Sequence, residues 1–171
     1  MKRQVMRYAG PMSTRWLDQD EQAAWVRLAA VVELLPGVLE AQLRRDADLS
    51  HFEYWVLAML SEAPERTLRM TALASRTSAT LSRLSHVVTR LESRGLLERF
   101  PCPEDRRATN AQLTPAGWDL VVASAPGHLE TVRTYVVDAL TPRQITQLTA
   151  IAGAILDRVD PDGAVLPQYR D

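Results

Sequence analysis

The chain has 171 residues, of which 46% are hydrophobic and 24% are charged, as is typical of a single soluble domain. No stretch approaches the roughly eighteen uncharged apolar residues of a membrane span, and the basic first residues lack the apolar block of a signal peptide. The single cysteine, Cys102, excludes an internal disulfide framework and fits a reducing compartment. We therefore expect a cytoplasmic protein that has no membrane partner.

The charge is unevenly distributed, although the formal net charge is only −1. Residues 66–107 contain nine arginines and four acidic residues, whereas the rest of the chain contains eleven basic and seventeen acidic residues. A basic segment within an acidic chain is typical of a protein that binds a polyanion such as nucleic acid. A solvated charged surface would give the same balance, so the sequence pattern has to decide between the two.

The first half of the chain predicts two helices. In residues 18–46 apolar side chains recur at intervals of three and four, and Pro36-Gly37 is expected to kink or break this long helix. Ser50 and Glu53 have the spacing of a capping box, which predicts a second helix over residues 50–61.

The middle of the chain predicts a helix-turn-helix followed by a hairpin. Residues 70–76 and 80–94 read as a short and a longer helix with a three-residue turn between them, and Gly95 is placed as a C-terminal cap. Residues 96–100 and 109–113 read as two strands joined by PCPEDRRA. A hairpin that directly follows a helix-turn-helix is a wing.

Two further helices are predicted after the hairpin. Thr114-Pro115 and Thr141-Pro142 each pair an N-cap residue with a proline in the first turn. The first of these helices should be disturbed at residues 125–127, and the second should run to about residue 159 with its apolar residues on one stripe. The fold class is therefore mostly α with a small β-hairpin wing (α+β).

The longer helix of the helix-turn-helix is amphipathic in a way that favours DNA binding. Its apolar face includes Leu81 and Leu84, and its other face carries hydroxyls, arginines and a histidine with a single acid near the edge. An ordinary amphipathic surface helix is the alternative, but such helices usually mix both charge signs. We expect Arg83 and His86 to reach base edges and Arg90 to contact a phosphate. The predicted DNA-binding residues of this helix are Ser82, Arg83, Ser85, His86, Thr89 and Arg90.

The tip of the predicted wing carries Asp105, Arg106 and Arg107. An arginine on a hairpin is attracted into a narrow minor groove by the strong negative potential there. Asp105 cannot contact phosphate favourably, so we expect it to hold an arginine in place. The alternative is a surface turn whose opposite charges contribute little.

The run from the helix-turn-helix through RLESRGLLER and the DRR wing to LTPAG strongly resembles the MarR (multiple antibiotic resistance regulator) family of winged helix-turn-helix regulators. The close resemblance covers about residues 49–117 and departs at Ala108, where the family very often has glycine. It implies that Arg107 enters the minor groove and that Asp105 orients it. It also implies a homodimeric repressor whose N- and C-terminal helices intertwine.

The apolar surface outside the winged region also indicates a dimer. The helices before and after it carry more apolar surface than a small wing domain can cover, and a twofold homodimer is the commonest solution. A fully monomeric core is the alternative. We interpret residues 1–171 as a single domain, with dimerisation helices at 18–48 and 117–160 and the winged helix-turn-helix at 49–116.

The resemblance implies an aromatic or phenolic ligand between the dimerisation helices and the winged domain. The predicted ligand-binding residues are Trp16, Arg27, His51, Tyr54 and Trp55, and Trp25 is a further aromatic candidate. Aromatic residues at helical spacing are more often part of a core. Family members that sense peroxide usually place their cysteine near the first helix, which has none here, so oxidation of Cys102 is the secondary alternative.

The sequence carries no pattern of an enzyme. Its three histidines are scattered, no cluster has metal-ligand spacing, and no phosphate-binding glycine loop or nucleophile elbow occurs. We therefore predict no catalytic residues, no metal and no cofactor. A winged-helix module for protein interaction remains the alternative from a different functional class.

Overall fold

The computed structural model describes residues 14–165 and 167, and over these residues the protein is mostly helical with one small antiparallel sheet. The helices are α1 (Gln19–Ala47), α2 (His51–Ser61), α3 (Met70–Arg76), α4 (Leu81–Ser93), α5 (Pro115–Val132) and α6 (Pro142–Val159). The strands are β1 (Thr67–Arg69), β2 (Leu97–Pro101) and β3 (Thr109–Leu113). The chain divides into two compact units, residues 1–35 and 36–171.

Helix α1 continues through Pro36 and Gly37, so the predicted break at this dipeptide does not occur. The helix begins after Asp18, whose side chain accepts hydrogen bonds from the backbone N–H groups of Asp20 and Glu21. A proline inside a helix removes one backbone hydrogen bond, and here the turns on both sides remain helical.

The part of α1 in the first unit buries none of its described residues. Its large side chains are exposed, as at Trp25 (59%) and Leu34 (70%). By length and composition alone α1 is apolar enough to cross a membrane, which the sequence pattern did not predict. An exposed apolar helix is also what a protein interface requires.

Helix α2 begins with the predicted capping box and forms the centre of the core of the second unit. The Ser50 hydroxyl accepts from the Glu53 backbone N–H, and the Glu53 carboxylate accepts from the Ser50 backbone N–H at 2.7 Å. Val56, Leu57 and Leu60 are fully buried. Each such side chain stabilises the fold by about 1.5–3 kcal/mol relative to an exposed position.

The sheet contains a strand that the sequence pattern did not predict. β3 lies in the middle, paired antiparallel with β1 on one side and β2 on the other, so that Ala111 lies opposite both Leu68 and Arg99. β1 has only three residues, too few to show an alternating pattern. The predicted hairpin is confirmed, with β2 starting one residue later than expected.

The wing is joined to α5 at a close backbone contact. Gly95 ends α4 with φ +70°, as its predicted role as a cap requires. The Thr114 side chain donates to the Gly95 carbonyl and accepts from the Gly117 backbone N–H.

α5 then continues through Pro126 without the predicted disturbance, and its regular hydrogen bonding ends only at Val132, before a π-helical turn.

We expect Gly117→Ala to destabilise the protein by about 3 kcal/mol or more because the new methyl group has no room. It would overlap the backbone carbonyl of Leu96 and lie 2.8 Å from Cδ1 of Leu113. Chemical unfolding would measure the loss.

Ala123→Gly is the matched control, since it makes the reverse exchange at an exposed position of the same helix. It should cost only about 1 kcal/mol. Equal losses in the two variants would show that helix propensity, and not the backbone contact, sets the effect.

Candidate DNA interface

Four buried side chains on one face fix the position of α4 in the fold. Leu84, Val87, Val88 and Leu91 all belong to the core, and the Thr80 side chain caps the helix by accepting from the Arg83 backbone N–H. Leu81 departs from the prediction, since it is 50% exposed in the first turn rather than part of the buried face.

The predicted DNA-binding residues of α4 remain accessible. Ser82, His86 and Thr89 are exposed, and the 100° spacing of a helix places them farthest from the buried face. Ser85 is half-buried beside the wing, whereas Arg83 and Arg90 are exposed along the flank next to α2. The outward face of α4 is therefore a polar surface of small side chains and one imidazole.

Arg83 and Arg90 both contact the first turn of α2, and no sequence pattern predicts these partners. The Arg83 guanidinium lies over the Phe52 ring, 4.2 Å from its centroid. Nε of Arg90 is 2.7 Å from a carboxylate oxygen of Glu53. Burial alone would raise the pKa of Glu53, but hydrogen bonds from Ser50 and the charge of Arg90 hold it below its ordinary value.

A groove of about 320 Å³ lies between α3, the start of α4 and the wing. Three of its lining residues, Arg69, Arg99 and Arg107, are arginines, and no acidic residue lines it. Two of them are ion-paired, Arg69 with Glu104 and Arg99 with Glu92, so the positive potential that a polyanion would meet comes mainly from Arg107. Arg69 and Arg99 were not among the predicted site residues because their elements meet only in the folded chain. The remaining lining residues are Met70, Thr71, Leu81, Ser85, Ala108 and Thr109.

Glu92 ties the wing to α4. Its carboxylate accepts hydrogen bonds from the backbone N–H of Arg99 at 3.1 Å and from Nε of the same residue at 3.0 Å. The hydrogen bonds from Arg99 hold the pKa of Glu92 below its ordinary value. The single acid of the α4 sequence therefore fixes the angle between the helix and β2.

The wing tip exposes two arginines. Asp105 accepts a hydrogen bond from the backbone N–H of Arg107, so its carboxylate shapes the turn of the backbone. In the described part of the chain neither Arg106 nor Arg107 forms an ion pair, and both are exposed. Ala108 does not have a positive φ, so the turn does not require glycine at that position.

Solved structures share both this fold and much of the sequence. Sco3205 from Streptomyces coelicolor, a MarR family transcriptional regulator solved in complex with DNA, is 42% identical to the chain. The match covers 85% of this chain and 95% of that one, with a TM-score of 0.82. The chain belongs to the MarR family. It is a DNA-binding transcriptional regulator, and members of this family are regulators rather than enzymes.

Further comparisons agree with this assignment. The MarR family model matches residues 49–109, from the residue before Ser50 to the start of β3. AbsC, a MarR family transcriptional regulator from Streptomyces coelicolor, is 37% identical, with 85% of this chain and 98% of that chain covered and a TM-score of 0.81. BpsR from Bordetella bronchiseptica shares the fold at 21% identity and a TM-score of 0.70, with 80% and 100% covered. A comparison with curated proteins gives no match.

The residues predicted to bind a ligand divide between the two units of this MarR chain. Trp16 is 62% exposed and Arg27 donates to the Ala23 carbonyl of its own helix, both in the first unit. In the second unit the rings of His51 and Trp55 are 6.3 Å apart. Neither the groove beside the wing nor a second groove, lined by Glu65, Arg66 and Thr114 among others, includes any of these side chains.

His128 joins the second-unit group, although the sequence pattern did not single it out. Its ring is 4.6 Å from that of Tyr54, and burial together with the nearby His51 lowers its pKa. Burial is also the main cause that lowers the pKa of His51, so both imidazoles favour the neutral form. Nδ1 of His128 and the buried Oε1 of Gln42 have no hydrogen-bond partner among the described residues.

Cys102 lies at the base of the wing loop and is only 4% exposed. Its backbone N–H donates to the Ala108 carbonyl, which closes the loop. The backbone N–H of Glu104 lowers the pKa of the thiol, and burial opposes this effect. The environment therefore favours the thiolate but gives an oxidant little access.

We expect Glu92→Gln to reduce stability at neutral pH and to lose that effect in acid. Because the folded-state pKa of Glu92 is lowered, its stabilising contribution is present above the unfolded-state pKa and disappears as pH falls through the folded-state value. Urea unfolding between about pH 7 and about pH 3 would show that the difference in unfolding free energy between the two proteins becomes smaller as the pH falls.

Glu98→Gln provides the control, since Glu98 is an exposed carboxylate on β2, next to Arg99, and has no ion pair in the described residues. Its stability difference from the unmodified protein should stay small throughout the pH range. If the stability difference between Glu92→Gln and the unmodified protein did not change with pH, the role assigned to the charge of the Glu92 carboxylate would be wrong.

Proposed function

We propose that the protein is a homodimeric repressor that binds a palindromic operator and is released by a small aromatic acid. The observation that carries the DNA-binding part is the convergence of three features around one groove. These are the polar face of α4, the arginine-lined wall and the exposed wing tip. Binding to an operator that overlaps a promoter would exclude the transcription machinery.

The winged region would read DNA in two grooves. The small residues Ser82 and Ser85 allow the start of α4 to approach the major groove closely, and His86 offers a ring nitrogen to a base edge. Thr89 and Arg106 would contact phosphates, which position the protein without reading sequence. Arg107 would enter the adjacent minor groove from a turn shaped by Asp105.

Dimerisation would cover apolar surface that a single chain leaves exposed. On α1 the exposed side chains include Trp25 and Val32, and on α6 they include Ile151 (59%) and Val159 (71%). No residue of α6 is buried within the chain. In a twofold dimer the two copies of α4, as the recognition helices, would lie on two half-sites about one helical turn of DNA apart. A palindromic operator offers two such half-sites.

A planar aromatic acid suits the group around the start of α2. His51, Tyr54 and Trp55 provide rings, and the unpartnered polar atoms of His128 and Gln42 provide hydrogen-bonding groups. Trp16 and Arg27 are the other residues predicted to bind the ligand, and an arginine would pair with its carboxylate. BpsR, which shares the fold, is regulated in its DNA binding by 6-hydroxynicotinic acid.

We expect Arg107→Ala to weaken binding to the upstream intergenic region of the protein's own gene, because an arginine in the minor groove contributes both charge and shape recognition. A mobility-shift titration with the operator and with a random duplex would measure the loss of affinity. The mass of the protein–operator complex should correspond to two chains on each palindrome. The loss should be about tenfold on the operator, near the value of one good base-reading contact.

Arg45→Gln is the control for the removed charge, since Arg45 is exposed on α1 and pairs with Asp46. It should leave operator affinity close to that of the unmodified protein. Unchanged affinity of Arg107→Ala at moderate salt would remove the wing from the proposed interface. A single chain on the operator would contradict the dimer.

We expect a salicylate-like aromatic acid to release the protein from its operator, and His51→Ala to weaken this release without weakening DNA binding itself. The dimer would alternate between two distances separating its two copies of α4, of which one fits DNA. The acid would bind one of these two arrangements better than the other, and such a difference in affinity is the only way a ligand shifts an equilibrium of this kind. Quenching of tryptophan fluorescence would report binding, and mobility shifts would report release. A panel of such acids with neither effect would contradict the proposed ligand, and a peroxide response abolished in Cys102→Ser would then favour the redox alternative.

A further inference from the structure

The first turn of α2 contacts the recognition helix α4 at two points. Phe52 lies beneath the guanidinium of Arg83, and Glu53 binds that of Arg90. The two arginines are seven residues apart, which is two helical turns, so they lie on the same flank of α4. Two consecutive residues of α2 thus hold two arginines of the proposed DNA-reading surface.

The Glu53 carboxylate is a fixed anchor rather than a mobile surface acid. Its side chain is only 2% exposed, and one of its oxygens is already bound by the Ser50 backbone N–H at 2.7 Å. Arg44 of α1 adds a second guanidinium at 3.9 Å. A buried carboxylate that lost its partners would be strongly unfavourable, so Glu53 constrains the arginines more than they constrain it.

Arg90 retains access to solvent while it is held in this way. Its side chain is 57% exposed, and Nε is committed to Glu53. A guanidinium has five N–H donors, so the remaining groups stay free to bind a phosphate. The phosphate must, however, lie where the anchored guanidinium points, or the arginine must be pulled away from a buried carboxylate.

We propose that Phe52 and Glu53 are positioning residues that set the sequence discrimination of the recognition helix. Their contacts fix Arg83 and Arg90 in an arrangement that fits the operator and fits random DNA poorly. Glu53 thereby weakens non-specific binding more than operator binding. This inference rests on the proposed function, in which α4 binds the major groove of DNA. It assigns roles to two residues of α2 that do not themselves belong to the DNA-binding surface.

Glu53→Gln tests the role of Glu53, because the amide oxygen still accepts from the Ser50 backbone while the charge that holds Arg90 is lost. The ratio of operator affinity to random-duplex affinity should fall by about threefold to tenfold, mainly through tighter random binding. In an Arg90→Gln background the same change should leave the ratio unaltered. Phe52→Leu, which keeps the apolar volume, should lower the ratio by about twofold to fivefold.

Two controls separate positioning from general effects. Glu98→Gln removes an exposed carboxylate from the winged region without contact to either arginine and should leave the ratio unchanged. Arg90→Lys keeps the positive charge but removes the Nε donor, so it should reproduce the loss of discrimination even if Glu53→Gln does not fold. If Phe52 and Glu53 had a purely structural role, their variants would lower thermal stability and would change the affinities for the operator and for random DNA by the same factor.

The ion pair can also be observed without DNA. In ¹H–¹⁵N spectra the Arg90 Nε–H signal should be shifted and protected in the unmodified protein, and both features should be lost in Glu53→Gln. The inference is overturned by an unchanged Arg90 signal, by an equal change in both affinities, or by the same fall in ratio in the Arg90→Gln background. An unmodified protein without operator preference would instead contradict the proposed function, and the Arg90 signal would still decide whether Glu53 holds the arginine.

Discussion

The arrangement of the candidate interface depends on how α4 is held. Burial of Leu84, Val87, Val88 and Leu91 fixes which face of the helix points inward, and it does so without directional contacts. Direction comes from polar contacts along the helix. Glu92 binds the wing through Arg99, and Glu53 binds Arg90 from the side of α2. At the C-terminal end the Arg94 side chain donates to the Asp48 carbonyl. The proposed reading of DNA would depend on this combination, because α4 and the wing would have to keep a fixed mutual geometry to contact two grooves at once.

Features determined by neighbouring residues could be predicted from the sequence. The capping box at Ser50, the N-cap at Thr141, the cap at Gly95 and the hairpin all follow from local chemistry, and the structure has each of them. Features determined by distant residues could not be predicted. β1 exists only because Thr67–Arg69 pairs with β3, more than forty residues further along the chain. The partners of Arg83 and Arg90 lie about thirty to forty residues earlier, and a helical projection of α4 alone cannot show them.

Neither Pro36 nor Pro126 ends its helix, and the physical reason is the same in both cases. Pro36 and Pro126 each remove one backbone hydrogen bond, yet α1 and α5 continue past them. In an isolated helix this loss would favour a break. Within the fold, packing outweighs this loss, as shown by the burial of Leu43 after Pro36 and of Val121 and Ser124 before Pro126. Local propensity therefore marks where a helix is weakened, and tertiary contacts decide whether it ends there.

Contacts between charged groups connect the ligand candidate His51 to the recognition helix within the second unit. The His51 backbone N–H donates to Glu40, whose carboxylate also binds Arg44 at 3.3 Å. Arg44 in turn approaches Glu53, which holds Arg90. The Glu40–Arg44 pair is nearly half exposed, and an ion pair of this kind contributes about 0–1 kcal/mol. The carboxylate that holds Arg90 thus lies in one series of contacts with the start of α2. The start of α2, where the ligand is proposed to bind, and α4, which is proposed to read DNA, are therefore joined through side chains of the second unit alone.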